Sequence, residues 1–234
     1  MNSRVVRIIV EGPTETAVLK RLLTNALKPH GIILAAPVEL GGNVGLDRLV
    51  ARVVQLIKQH PRDTVSTFID YYGRARGWTD RHEAQNLPVE ALAAKTEDLL
   101  YEKVRSQFSN TGLPLRFLPH VQMHEIEALL FARADLLAKV FERPDLETKV
   151  TACLQGLHSC EEINNCPETA PAARIEKLFG HYKKGKKQRS HALAYASLIE
   201  QMNAFNDVRN ACPLFSRWVE QLTSGSRQPL PTAD

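Results

Sequence analysis

The alternation of apolar and polar positions changes period several times along the first half of the chain. Arg4 to Val10 (RVVRIIV) is rich in β-branched residues and almost continuously apolar, as expected of a strand buried on both faces of a parallel sheet. Gly12-Pro13-Thr14 interrupts it, with Gly12 allowing a tight turn and Thr14 able to cap a coming helix. Ala17, Val18, Leu22, Leu23, Ala26 and Leu27 then mark one helical face, closed by Pro29 and Gly31. Ile32 to Leu40 reads as a second strand, ending at Gly41-Gly42-Asn43. A second amphipathic helix carries Leu46, Leu49, Val50, Val53, Leu56 and Ile57 on one side.

Thr64 to Asp70 (TVSTFID) is a third strand. A polar loop containing Gly73, Gly77 and Pro88 leads to a long helix over about 89–108. Leu115 to Val121 is the fourth strand, weakened near its end by Pro119. This order predicts an α/β, Rossmann-like fold, with a parallel sheet of about four strands covered by helices on both faces. From His124 onward strand signals stop, and helices are predicted over 124–131, 135–141, 145–156, 170–179, 190–203 and 213–222. The expected division is an α/β core over 1–131, a helical C-terminal part over 132–223 packed on that core, and a flexible polar tail over 224–234.

Composition narrows the picture only slightly. With 234 residues, 44% of them apolar and 24% charged, the chain has the make-up of a globular protein rather than a disordered one. No stretch reaches the roughly 18 apolar residues that span a bilayer. The opening Met1-Asn2-Ser3-Arg4 lacks the pattern of a secretory signal, so a cytoplasmic protein with no membrane association is expected. Cys153, Cys160, Cys166 and Cys212 are irregularly spaced, which argues against a zinc cluster or a disulfide framework. There is no P-loop, so the chain is not expected to hydrolyse nucleotides itself.

The net charge of +4 is mild, but its distribution is uneven. Lys183, Lys184, Lys186, Lys187 and Arg189 fall within seven residues. Such a run suits nucleic-acid phosphates and equally suits a solvated loop.

The candidate chemistry is acidic. Ligands of open parallel sheets bind beyond the carboxyl ends of the strands. Three predicted strand ends carry acidic residues there: Glu11 after the first, Asp70 at the third, and Glu125 and Glu127, with His124, after the fourth. Taken singly, each has an ordinary explanation as a loop, turn or cap residue. Gathered at one edge, they repel one another unless a proton or a cation compensates. Mg²⁺ or Mn²⁺ suits such oxygen donors and bridges to substrate phosphates.

Glu15 is a further candidate ligand, although its place in the first turn of a helix is also explained by the helix dipole. In the fourth segment, Ile126, Leu129 and Leu130 follow core-facing helical spacing. His124 and Glu127 would then share an adjacent face near a helix N-terminus suited to phosphate.

Several motifs together resemble a known group. Glu11-Gly12-Pro13-Thr14-Glu15 after the first strand resembles the opening motif of Toprim domains. The wider pattern resembles an uncharacterised bacterial Toprim-like family, related to the Toprim domain of overcoming-lysogenization-defect nucleases and often encoded beside an AAA/ABC-type ATPase. The matching residues include Asp70-Tyr71-Tyr72-Gly73, the octapeptide His124 to Phe131, Pro167-Glu168 through Arg174, Tyr182-Lys183, and Cys212-Pro213-Leu214-Phe215 with Trp218.

The resemblance implies a Toprim-like fold and a Mg²⁺-dependent nuclease that cleaves DNA or RNA, with tRNA among the candidate substrates. It also implies an antiviral effector role with an ATPase partner. By the same resemblance Glu11 would be a general acid/base or metal ligand and Asp70 a metal ligand. Tyr72 stands where Toprim enzymes carry a second Asp, and Glu125 or Glu127 is expected to supply the missing carboxylate. His124 or a carboxylate would accept the proton of the attacking water, and Lys183 would stabilise developing negative charge. The Tyr72 departure leaves a second reading open, a non-catalytic Toprim-like binding or regulatory module.

Overall fold

The computed structural model describes residues 3–42, 44–71, 78, 87–109, 115–163, 168–180, 182 and 186–228, with the backbone alone at 186 and 187. Its centre is a six-stranded sheet in which every paired strand is parallel. The strands are β1 (Arg4–Val10), β2 (Ile32–Leu34), β3 (Val38–Glu39), β4 (Thr64–Asp70), β5 (Phe117–Leu118) and β6 (Val121–Gln122). Both β2 and β3 pair with one side of β1, β4 pairs with its other side, and β5 and β6 both pair with β4.

The expected fold class is therefore the observed one, but two of the four expected strands are broken. The stretch read as one strand from Ile32 to Leu40 is split into β2 and β3. Leu115 to Val121 is likewise divided at Pro119-His120, because proline cannot donate to the ladder.

The helices are α1 (Pro13–Leu27), α2 (Leu46–Gln59), α3 (Val89–Ser106), α4 (Ala134–Val140), α5 (Glu147–Ala152), α6 (Pro171–Phe179), α7 (Lys186–Gln201), α8 (Phe205–Ala211) and α9 (Pro213–Ser224). Three corrections concern the C-terminal part. The segment from His124 is not an α-helix: a 3₁₀ helix begins only at Ile126 and runs to Ala132, so His124 lies outside it. Helix α5 is shorter than the stretch expected over 145–156. Helix α8 was not anticipated, since its seven residues place only Val208 in the core and leave little periodic signal.

Strand parity sorts the core into two layers. Val6, Ile8 and Val10 of β1 and Phe68 of β4 face α1 and the C-terminal helices, packing with Tyr195, Phe215 and Trp218. Ile9, Val65 and Ile69 face the opposite way, onto Leu49, Val53 and Leu56 of α2 and Leu92 and Leu100 of α3. The C-terminal helices thus form one of the two layers that cover the sheet, sharing its core. Residues 225–228 continue past α9 against α3, where the Arg227 guanidinium lies 4.1 Å from the centre of the Tyr101 ring and pairs with Asp98. Among the described residues no helix is long and apolar enough to cross a membrane.

Candidate functional site

The strand order decides where a ligand can enter. From β1 the chain passes through α1 to β2 and β3 on one side, and then through α2 to β4 on the other. The connections diverge at the carboxyl ends of β1 and β4, which is the position where open α/β sheets bind ligands. Glu11 follows β1 and Asp70 ends β4.

The ladder continues beyond the strand ends on both sides. Gly41 N donates to the Glu11 carbonyl at 2.8 Å, and Tyr71 N donates to the Gln122 carbonyl at 2.9 Å. Gly41 adopts a left-handed φ of 70°, a conformation that glycine takes without strain. At the next residue, Gly42, an added β-carbon would lie 3.5 Å from Glu11 Oε1, an ordinary van der Waals distance.

Glu15 enters from the first turn of α1. Its Oε2 accepts the backbone N–H of Gly12 at 2.9 Å, which closes the turn between β1 and α1. Gly12 is the N-cap in extended backbone (φ −163°), a conformation open to any residue, and Pro13 occupies the first helical position. The expected roles of Gly12 as a tight-turn glycine and Thr14 as a cap are therefore both corrected: Thr14 lies inside the helix, and Glu15 performs the capping.

The third segment supplies His124, Glu125 and Glu127, all buried. The Glu125 Oε2 accepts the backbone N–H of Ala172 in the first turn of α6 at 3.0 Å. Glu127 Oε1 accepts from the Tyr182 hydroxyl at 3.1 Å and also from Gln188 Nε2. His124 Nδ1 lies 3.0 Å from the Ile163 carbonyl, and its ring meets Tyr71 edge-on at 5.5 Å. A carbonyl only accepts, so Nδ1 carries a proton. The shared helical face expected for His124 and Glu127 does not form, because the 3₁₀ helix starts after Glu125.

Electrostatics bring all of these carboxylates together around Asp70. Its carboxyl is pushed well above the usual range, first by burial and then by the negative charges of Glu15, Glu127, Glu11 and Glu125. Asp70 Oδ1 is inaccessible and has no hydrogen-bond partner among the described residues. The Glu15 carboxyl is raised to about 7, chiefly by burial and then by Glu127 and Glu11, against the lowering effect of its backbone hydrogen bonds. Burial and Glu127 also push up the Tyr182 hydroxyl.

Five carboxylates from three distant stretches of sequence are thus coupled at one sheet edge. Their all-oxygen donor set and the orphaned Asp70 Oδ1 fit a hard divalent cation. Among the described residues no three His, Cys, Asp or Glu side chains are already arranged around a common ion position.

With this edge in view, the family match has a clear physical content. It extends over residues 10–223, from the last residue of β1 almost to the end of α9. The chain belongs to the DUF4276 family, a domain of unknown function. No curated protein and no solved structure matches the chain. The span shared with DUF4276 contains every carboxylate of the cluster together with Tyr182 and Gln188.

Of the basic run, Lys183 and Lys184 lie outside the described residues, as do the side chains of Lys186 and Lys187; Arg189 is exposed on α7. Tyr72 is also outside them. The sequence pattern gave no prior indication that Ala172 N or Gln188 would contact the acidic cluster, since both contacts span long separations in sequence. Glu161 was missed as well. It is fully buried and caps α9 by accepting from Leu214 N at 2.7 Å and Phe215 N at 2.9 Å.

Proposed function

We propose that this protein is a cytoplasmic, Mg²⁺- or Mn²⁺-dependent Toprim-like nuclease that cleaves DNA or RNA phosphodiesters. The carrying observation is that Asp70, half-buried with its Oδ1 inaccessible, stands among four other carboxylates at the divergence of β1 and β4. Such a concentration of negative charge is unfavourable without compensation, and a divalent cation compensates it while attracting a phosphate. Glu11, Asp70 and Glu125 are the residues proposed to hold the ion, with Glu15 and Glu127 completing the acidic surround. Bound there, the cation supplies Lewis-acid polarisation of the phosphoryl group.

The remaining steps belong to the chain. His124, whose Nδ1 proton is held by the Ile163 carbonyl, is the residue proposed to take part in proton transfer from the attacking water. Tyr182 and Gln188, on either side of the basic run in sequence, both donate to Glu127. For the polyanionic substrate so proposed, Lys183, Lys184, Lys186, Lys187 and Arg189 would supply phosphate contacts. Pairing with an AAA/ABC-type ATPase in antiviral defence is the proposed setting, on the strength of the family resemblance alone.

The test is cleavage of a panel of DNA, bulk RNA and tRNA with Mg²⁺ or Mn²⁺, with and without a neighbouring ATPase. Wild type is compared with Glu11→Ala and Asp70→Ala. Cation-dependent cleavage lost in both variants supports the reading. Absence of cleavage and of cation binding in folded protein favours the second reading, a non-catalytic Toprim-like module, to which Tyr72 in place of a second Asp also points.

A further inference from the structure

A second polar cluster is buried behind the site. His120 sits at the break between β5 and β6 and is fully buried, its ring stacked on Trp218 with centroids 4.8 Å apart and planes at 15°. Its Nδ1 lies 3.3 Å from Glu97 Oε1, off the line of a good hydrogen bond. Glu97 Oε2 pairs with Arg217 at 2.7 Å. On the other side of the ring, Nε2 lies 3.4 Å from Gln122 Oε1. The amide orientation is determined by its other end, because Gln122 Nε2 donates to the Met123 carbonyl at 3.0 Å. Polar groups in close approach therefore run from Arg217 through Glu97, His120 and Gln122 to the residue preceding His124.

The path lies where the sheet loses its regular ladder. The Thr67 hydroxyl bridges the break by donating to the His120 carbonyl and accepting the His120 N–H, both at 3.0 Å. Glu97 Oε1 accepts Val121 N at 3.3 Å. The Trp218 indole N–H donates to Ser66 Oγ at 2.8 Å, and Ser66 Oγ in turn donates to the Leu118 carbonyl. Apolar residues of equal volume would fill this space with no desolvated charge, and such replacements are often at least as stable. A buried set of charged and polar contacts instead favours one backbone arrangement. Breaks in strands near sites similarly re-aim the side chains beyond them. Beyond this break come His124 and Glu125.

We propose that His120 and Glu97 are positioning residues for the arm of the site that carries His124 and Glu125, acting through Gln122 and the Met123 carbonyl. This rests on the reading of that site as a cation-dependent nuclease centre. Neither residue touches the reacting groups. They hold the chain that presents them.

The test uses the full chain as wild type, His120→Phe, which keeps a ring against Trp218, and Glu97→Gln, which removes charge at nearly constant shape. Three quantities are measured well below the melting temperature: Mn²⁺ affinity by titration, cleavage of DNA and RNA, and the His124 Nδ1–H resonance in cation-free protein. Both variants are expected to fold, to bind Mn²⁺ about 10- to 100-fold more weakly, and to displace the His124 resonance. A lowered melting temperature with wild-type affinity and an unmoved resonance would overturn the proposal, since that is the outcome of a purely structural role. If wild type itself neither binds Mn²⁺ nor cleaves, the nuclease reading fails. The resonance then decides positioning by itself, displaced for it and unmoved against it. Should His120→Phe not fold, Glu97→Gln gives the decision.

Discussion

Glu125 and Ala172 are joined by a 3.0 Å hydrogen bond from backbone nitrogen to carboxylate, tying one member of the acidic cluster to the first turn of α6. The same carboxylate therefore has a structural partner and a place beside Asp70. These two roles separate by substitution. Glu125→Ala leaves the α6 N–H without its acceptor and is expected to lower stability by about 1–2 kcal/mol in denaturant unfolding. Glu125→Gln retains an acceptor oxygen and should lose less than half of that. Both should weaken Mn²⁺ binding. A glutamine variant with wild-type Mn²⁺ affinity would remove Glu125 from the proposed ligand set.

Stability should depend on pH in a direction set by the buried carboxyls. Glu15 is raised from 4.5 to about 7, and Glu161 from 4.5 to about 8, both mainly by burial. Between those limits the folded protein binds more protons than the unfolded chain. The stabilisation is fully present below about 4.5 and is lost as pH rises through about 7 and 8. Glu97 acts oppositely: His120 and Arg217 outweigh its burial and lower its carboxyl, so its contribution is lost in acid. In cation-free buffer the unfolding free energy should therefore fall between pH 5 and 8. Glu15→Gln should flatten the lower part of that decline. Unchanged slopes in urea titrations of this variant would contradict the assignment.

Asp70→Asn replaces the carboxyl that faces the other carboxylates with a neutral amide. Without cations at pH 8 it should be more stable than wild type, by about 1–2 kcal/mol, because the amide carries none of the cost that burial, and then the neighbouring charges, place on an ionisable carboxyl there. Added Mg²⁺ or Mn²⁺ should raise the melting temperature of wild type and not that of the variant, and cleavage should be lost. A cation-induced shift of equal size in both proteins would place the ion elsewhere.

Glu161→Ala leaves the N–H groups of Leu214 and Phe215 buried without their acceptor. A loss of about 2–4 kcal/mol is expected, with the activity per folded molecule unchanged. Glu161→Gln, which keeps one acceptor, should lose less and should also remove the decline in stability near pH 8. Reduced activity in the folded glutamine variant would show that Glu161 influences the site as well as α9.

Much of the sheet edge is legible in the residues themselves. Runs such as RVVRIIV and TVSTFID match β1 and β4 to the residue, since both are short, rich in β-branched residues and bounded by turn or charged residues. Their ends are where Glu11 and Asp70 stand, and the topological rule for open sheets makes them candidates from the sequence alone. Glu15 was legible as an acidic residue in a first helical turn, with its close approach to Asp70 hidden.

Only the tertiary structure decided the rest, because the deciding contacts join residues far apart in sequence. The hydrogen bond of Glu125 to Ala172 spans 47 positions and that of Glu127 to Gln188 spans 61. No local period encodes either. The 3₁₀ start after Glu125, which separates His124 from Glu127, also escapes a periodicity argument, since every residue from Ile126 to Phe131 is buried and no polar face marks the turn. The sequence alone thus determined the parallel α/β layout and the strand-end acids, through local apolar patterning. Packing of α1 and the C-terminal helices on one face of the sheet then determined which acids meet around Asp70 and which are pinned by backbone N–H groups.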